Sequence, residues 1–178
     1  MGAVLPAITE DLAEWLRAQP MFFVATAPGS GGHVNVSPKG YDVLRVLDDR
    51  TVAYLDLTGS GVETIAHVRE NGRITLMWCA FEGKGRIVRI AGRGRVHELG
   101  SPRFDELAPR FPSLPGSRAI IEVEADRIAT SCGDGVPLME FVGHRDRLLD
   151  WARAKGEDGL AEYRAAKNAQ SIDGLPGY

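Results

Sequence analysis

The chain has 178 residues, 44% of them hydrophobic and 25% charged, enough apolar surface for one well-buried core and too apolar a composition for a disordered chain. A formal net charge of −3 excludes a bulk positive field, so no nucleic-acid partner is expected. No apolar run approaches the roughly 18 residues of a membrane span and no charged leader precedes an apolar stretch. Cys79 and Cys132 lack the spacing of a metal site or a disulfide framework, so the expectation is a cytoplasmic protein without a membrane partner.

After an irregular start, "TEDLAEWLRAQ" (9–19) places Thr9 as an N-cap, acids in the first turn, and Leu12, Trp15 and Leu16 at helical spacing. This predicts a short amphipathic helix ending near Pro20. "MFFVATA" (21–27) and "HVNVS" (33–37) flank the turn "PGSGG" (28–32) and read as a hairpin. That glycine cluster lacks the spacing and the strand-to-helix setting of a phosphate-binding loop. "YDVLRVLDD" (41–49), "RTVAYLDL" (50–57), "GRITLMWCAF" (72–81), "GRIVRIAGRGRVHEL" (85–99) and "RAIIEVEADRIATS" (118–131) are rich in β-branched and aromatic residues and predict strands. Trp78 and Tyr54 read as core or subunit-contact residues within them.

A helix is expected within "TGSGVETIAHVREN" (58–71), stopped by Asn71 and Gly72. Further helices are expected at 101–111 and at 145–166, the latter carrying Leu148, Leu149, Trp151, Leu160 and Tyr163, with Gly156 and Gly159 as breakers. Many short strands with helices inserted irregularly argue for a mainly β, α+β fold, a largely antiparallel barrel, and against a doubly wound parallel sheet.

Three stretches could carry chemistry. In "HVNVSPKGYD" (33–42), Ser37, Pro38, Lys39 and Gly40 read either as a solvated surface turn or as a strand end that offers an ammonium to an anion. In "DLTGSGVET" (56–64), Thr58, Ser60 and Thr64 surround two glycines at a helix start; they either cap the helix or help its N-terminus hold an anion. In "KGRIVRIAGRGR" (84–95), strand alternation separates Arg86 from Arg89, Arg93 and Arg95, and most of these arginines read as a solvated face. His33, His67, His97 and His144 form no metal-binding pattern. A nucleophile elbow is missing from "GDGVP" and "GSGVE", and no catalytic residue is assigned.

Taken in order, "NVSPKG", "YLDLTGSGVETIAHVREN", "ITLMW" and "RIVRIAGRGRV" resemble the pyridoxamine 5'-phosphate oxidase-like family, the FMN-binding split β-barrels, over roughly residues 15–130. The resemblance implies a six-stranded antiparallel split barrel in a single domain over 1–178, with its core at about 15–131 and a C-terminal helix and tail over 132–178. It also implies a homodimer that holds FMN at the subunit interface and transfers electrons to or from a small-molecule substrate. Cofactor contacts would come from Asn35, Val36, Ser37, Pro38 and Lys39 beside the flavin, from Asp56, Thr58, Gly59, Ser60 and Thr64 around the phosphate, and from Arg86; Gly92 matches a family glycine. Three features depart from the true vitamin B6 enzyme. The Gly59-Ser60-Gly61 run replaces consecutive basic residues, Ile87 replaces a glutamine, and the closing tryptophan-arginine-histidine signature is missing. A deazaflavin in place of FMN, and a noncatalytic flavin-holding or sensing protein, are the alternatives. The tail reads as a lid or a dimer clasp.

Overall fold

The computed structural model describes residues 2–178. Thr9 caps the first helix as its sequence predicts: its Oγ1 accepts from the Leu12 N–H at 3.3 Å, and α1 (Glu10–Ala18) buries Leu12, Ala13 and Leu16. The irregular start contains β1 (Ala3–Leu5). Then follow β2 (Phe22–Thr26), β3 (Asn35–Lys39), β4 (Leu44–Val46) and β5 (Thr51–Leu57). The chain continues through α2 (Glu63–Asn71), β6 (Arg73–Cys79), β7 (Ile87–Glu98), α3 (Pro102–Leu107), β8 (Ser117–Ser131) and α4 (Arg147–Lys167).

The strands form one antiparallel sheet in the order β3-β2-β6-β7-β8-β5-β4, with β1 also paired to β8. The hydrogen-bonded path therefore has seven strands, with β1 beside it, where six were expected. The 15-residue β8 pairs with β7, β5 and β1, and its register shifts twice. One shift leaves Asp126 unpaired opposite Ala91 and Gly92, and the other leaves Arg118 unpaired opposite Asp56 and Leu57. Such bulges bend a strand and increase its twist, which curls the sheet into a half-barrel. Leu76, Trp78, Ile90, Ile120 and Ile121 are fully buried in the core built on the two faces of this sheet.

Several elements differ from their sequence expectation for identifiable reasons. The strand expected at 41–49 shrinks to Leu44–Val46 because Tyr41 adopts φ +65° and Asp48 accepts the Arg50 N–H in a turn. Ser37, Pro38 and Lys39 are not a turn; they are strand, paired with Val24, Phe23 and Phe22. Proline is tolerated there because β3 is the last strand of the sheet path and pairs with β2 alone. Gly72 does stop α2, in the left-handed conformation, donating its N–H to the Val68 carbonyl at 2.9 Å. Gly156 interrupts α4 with non-helical angles, whereas Gly159 stays helical.

Candidate functional site

Strand alternation on β3 turns Val36 and Pro38 to solvent and sets Asn35, Ser37 and Lys39 in a row on the other, half-buried face. The Asn35 Nδ2 donates to Thr64 Oγ1 at 3.1 Å and to Ser37 Oγ at 3.2 Å. The Lys39 Nζ donates to Asp56 Oδ1 at 2.7 Å. Five of the predicted site residues, Asn35, Ser37, Lys39, Asp56 and Thr64, are thus brought together where β3 meets β5 and the first turn of α2.

Asp56 is the buried centre of this arrangement. Its Oδ2 accepts from the Arg118 Nε at 2.7 Å, and Arg118 in turn reaches Asn168 Oδ1 at 2.8 Å and the Gly61 carbonyl at 2.9 Å. The β8 bulge at Arg118 aims this guanidinium across to β5. Burial alone would raise the Asp56 pKa; the Lys39 and Arg118 charges outweigh it and hold the carboxyl at about 2. Beside it the buried Arg164 donates to Thr58 Oγ1 at 3.3 Å and lies over the Tyr178 ring. Three cations and one carboxylate leave this cluster with an excess of positive charge.

The strand-to-helix turn is organised differently from either sequence reading. Val62 occupies the N-cap of α2 without a side-chain cap, so neither Thr58 nor Ser60 caps the helix. The Gly59 and Ser60 carbonyls accept from Asn168 Nδ2 at 3.0 and 3.3 Å, which ties the loop to the end of α4. A cleft of about 570 Å³ opens between this turn and β3, lined by Asn35, Val36, Ser60, Gly61, Glu63 and Ile172 among others. The Glu63 carboxylate lies against Gly61 and accepts the Ile172 N–H at 3.3 Å.

Residues that could hold a flavin therefore divide into two sets. The row Asn35, Ser37 and Lys39 offers the mixed donors and acceptors that a flavin edge needs, and Lys39 retains two further ammonium donors for a phosphate. At the helix start the Glu63 carboxylate lies against Gly61, which places a negative charge beside the turn formed by Gly59, Ser60 and Gly61. Asp56 and Thr58 are buried, accepting hydrogen bonds from Lys39 and Arg164. Arg86 is not brought to the row; its guanidinium stacks 4.7 Å over the Trp15 ring. Arg118, Arg164 and Asn168 escaped the sequence reading. The one signal for any of them was Arg118, a charge at the head of the apolar run "AIIEV".

A half-barrel of antiparallel strands, with a polar row on its edge strand facing a strand-to-helix turn, defines the split β-barrel class. Residues 8–132 match the model of the pyridoxamine 5'-phosphate oxidase family. The chain is 41% identical over 188 residues to the pyridoxamine 5'-phosphate oxidase family protein ustO of Aspergillus flavus, covering 96% of this chain and 76% of that protein. It belongs to the pyridoxamine 5'-phosphate oxidase family. HupZ of Group A Streptococcus shares the fold with a TM-score of 0.54 at 22% identity, over 70% of this chain and 99% of that one. A candidate pyridoxamine 5'-phosphate oxidase from Lactobacillus delbrueckii does so with a TM-score of 0.54 at 21% identity, over 70% and 97%.

Proposed function

We propose that the protein is a flavin-dependent oxidoreductase that holds FMN along the Asn35, Ser37 and Lys39 row of β3, as a homodimer acting on a small molecule. The observation that carries this reading is the row itself, an amide, a hydroxyl and an ammonium at alternate positions of an edge strand beside a buried excess of positive charge. Membership of an oxidase family supports the reaction class. A bound flavin supplies hydride or electron transfer itself. The chain's residues then need only bind and orient it: Asn35 and Ser37 by hydrogen bonds, and Lys39 as the cationic contact for the phosphate. Deazaflavin in the same row is the alternative cofactor, separated from FMN by the mass of the compound released on denaturation.

A noncatalytic flavin-holding protein is the second reading, favoured by Asp56, the acid bonded to the row, being held as a carboxylate between Lys39 and Arg118. Reduction of the bound flavin by NADH or NADPH separates the two readings. Lys39→Ala is the test of the site. Asp56 keeps its Arg118 partner in this variant, so the fold persists, while FMN affinity is expected to fall by about 1–3 kcal/mol with riboflavin affinity nearly unchanged. Equal FMN binding by wild type and variant in parallel titrations would remove Lys39 from the site.

A further inference from the structure

Beyond the flavin row the chain forms a second and larger cavity of about 1060 Å³, bounded by the end of α1, the start of β2, the turn after β3 and the segment 139–145. Strand alternation places Pro38, which lines this cavity, on the opposite face of β3 from Ser37 and Lys39. Trp15, Phe22 and Phe81 contribute aromatic walls, and Tyr41, Phe141 and His144 contribute three more rings from the other side.

The segment 132–146 contains no helix or strand before α4, yet it is tied across the cavity at four points. The Met139 N–H donates to the Phe81 carbonyl at 2.9 Å, and the Phe141 N–H to the Glu82 carboxylate at 3.2 Å. The Tyr41 hydroxyl donates to the Arg145 carbonyl at 2.6 Å, and the Tyr41 N–H to His144 Nδ1 at 3.4 Å. Tyr41 is the one non-glycine among the described residues with positive φ, at 65°. A bulky residue held there is strained, and such strain concentrates at functional positions. Here it directs the Tyr41 N–H to His144, whose ring lies 5.1 Å from the Tyr41 ring and 4.9 Å from that of Phe141.

The chemistry of the lining selects a ligand class. Arg17 is paired with Glu10 at 2.8 Å and Asp42 with Arg45 at 2.5 Å, and the remaining Glu82, Glu140 and Arg145 leave one net negative charge, so nothing in the lining calls for an anionic ligand. The backbone N–H groups of Tyr41, Met139 and Phe141 are already bonded within the chain, which removes the ladder that an extended peptide would need. What remains is a lining with aromatic rings on both sides, and the second nitrogen of His144 free of protein partners among the described residues. We propose that this cavity binds a neutral planar aromatic molecule of two or more fused rings bearing a hydroxyl or carbonyl oxygen, with segment 139–145 as the strap that covers it. The volume suits such a ligand, and the proposal does not depend on flavin binding at the β3 row.

The test is calorimetric titration of the purified full chain with 2-naphthol, alone and in the presence of saturating FMN. Saturable binding of about one molecule per chain is expected, unchanged by FMN, and weakened about tenfold in Phe141→Ala through loss of one aromatic wall. Phe141 is exposed on the strap, so the variant keeps the fold; Val36→Ala, on the solvent side of β3, is expected to bind 2-naphthol as wild type does. Absence of saturable binding, equal binding by Phe141→Ala, or displacement of 2-naphthol by FMN would overturn the proposal.

Discussion

Asp56→Ala is expected to destabilise the protein by about 3–5 kcal/mol, the largest effect of any single side-chain truncation near the site. The carboxylate is 1% exposed and lies between Lys39 and Arg118, each at 2.7 Å. Removing it strands the buried Arg118 guanidinium and unpairs the half-buried Lys39. Such a loss exceeds the worth of the pair itself, because the uncompensated charges remain buried. Arg118→Met added to Asp56→Ala is therefore expected to recover part of the stability, since it removes the more deeply buried of the two cations. Urea unfolding monitored by circular dichroism reads both effects as shifts in midpoint at constant slope. A loss below about 1 kcal/mol in Asp56→Ala would show that the network is solvated.

The same carboxylate makes the wild type sensitive to acid. Its folded pKa of about 2 lies below the usual 3.8, so its contribution is complete at pH values above the ordinary carboxylate range and disappears as pH falls toward 2. Linkage sets that contribution at about 2 kcal/mol. Glu122, whose pKa is lowered by its hydrogen bonds to Arg103 and His97 against the effect of burial, adds to stability with the same sign.

The second large effect is expected at Gly92. A Cβ at this position would run into the Glu124 carbonyl of β8, where the Asp126 bulge brings the two backbones together. Neither backbone can rotate away as a side chain would, so Gly92→Ala is expected to cost about 3 kcal/mol or more. Gly59→Ala is the matched comparison. Nothing lies within 4 Å of its would-be Cβ, and its cost is expected to stay within about 0.5 kcal/mol. Thermal unfolding of the two variants side by side checks the claim; equal midpoints would mean that the bulge relaxes freely.

Gly92 also shows how sequence and structure divide the explanation. Its match to a family glycine was visible in "RIVRIAGRGRV", but the reason for it, a close approach created by a bulge 34 residues later on β8, belongs to the tertiary pairing. Local signals carried well wherever the cause was local. Thr9 caps α1, Gly72 ends α2, and Arg89, Arg93 and Arg95 share the solvated face of β7. Pro38 misled in the turn reading because an edge strand tolerates what an interior strand does not, and edge status is a property of the whole sheet.

The candidate site was legible to the same degree. The residues alone left Ser37 to Gly40 open between a surface turn and a strand end; it was the family resemblance that joined Asn35, Ser37 and Lys39 to Asp56 and Thr64. Arg118, Arg164 and Asn168 were not readable, because each reaches the site from an element far along the chain: Arg118 by a register shift, the other two by the packing of α4 on the Gly59 to Gly61 turn. Arg86 was drawn into the set by its place before a long strand, whereas an aromatic partner, Trp15, holds it elsewhere. Glu63 was given no role from the sequence, because its partner, the Ile172 N–H, comes from the tail 109 residues later.

The central claim, that this member of the family holds a phosphate-bearing flavin along β3, is tested most directly by mixing the purified full chain with excess FMN and separating the two by gel filtration. The protein fraction is expected to carry the yellow absorption band of oxidised flavin in an amount stoichiometric with the chain, and denaturation to release it as intact FMN. A colourless protein fraction, with all of the FMN eluting at the small-molecule volume, would contradict it.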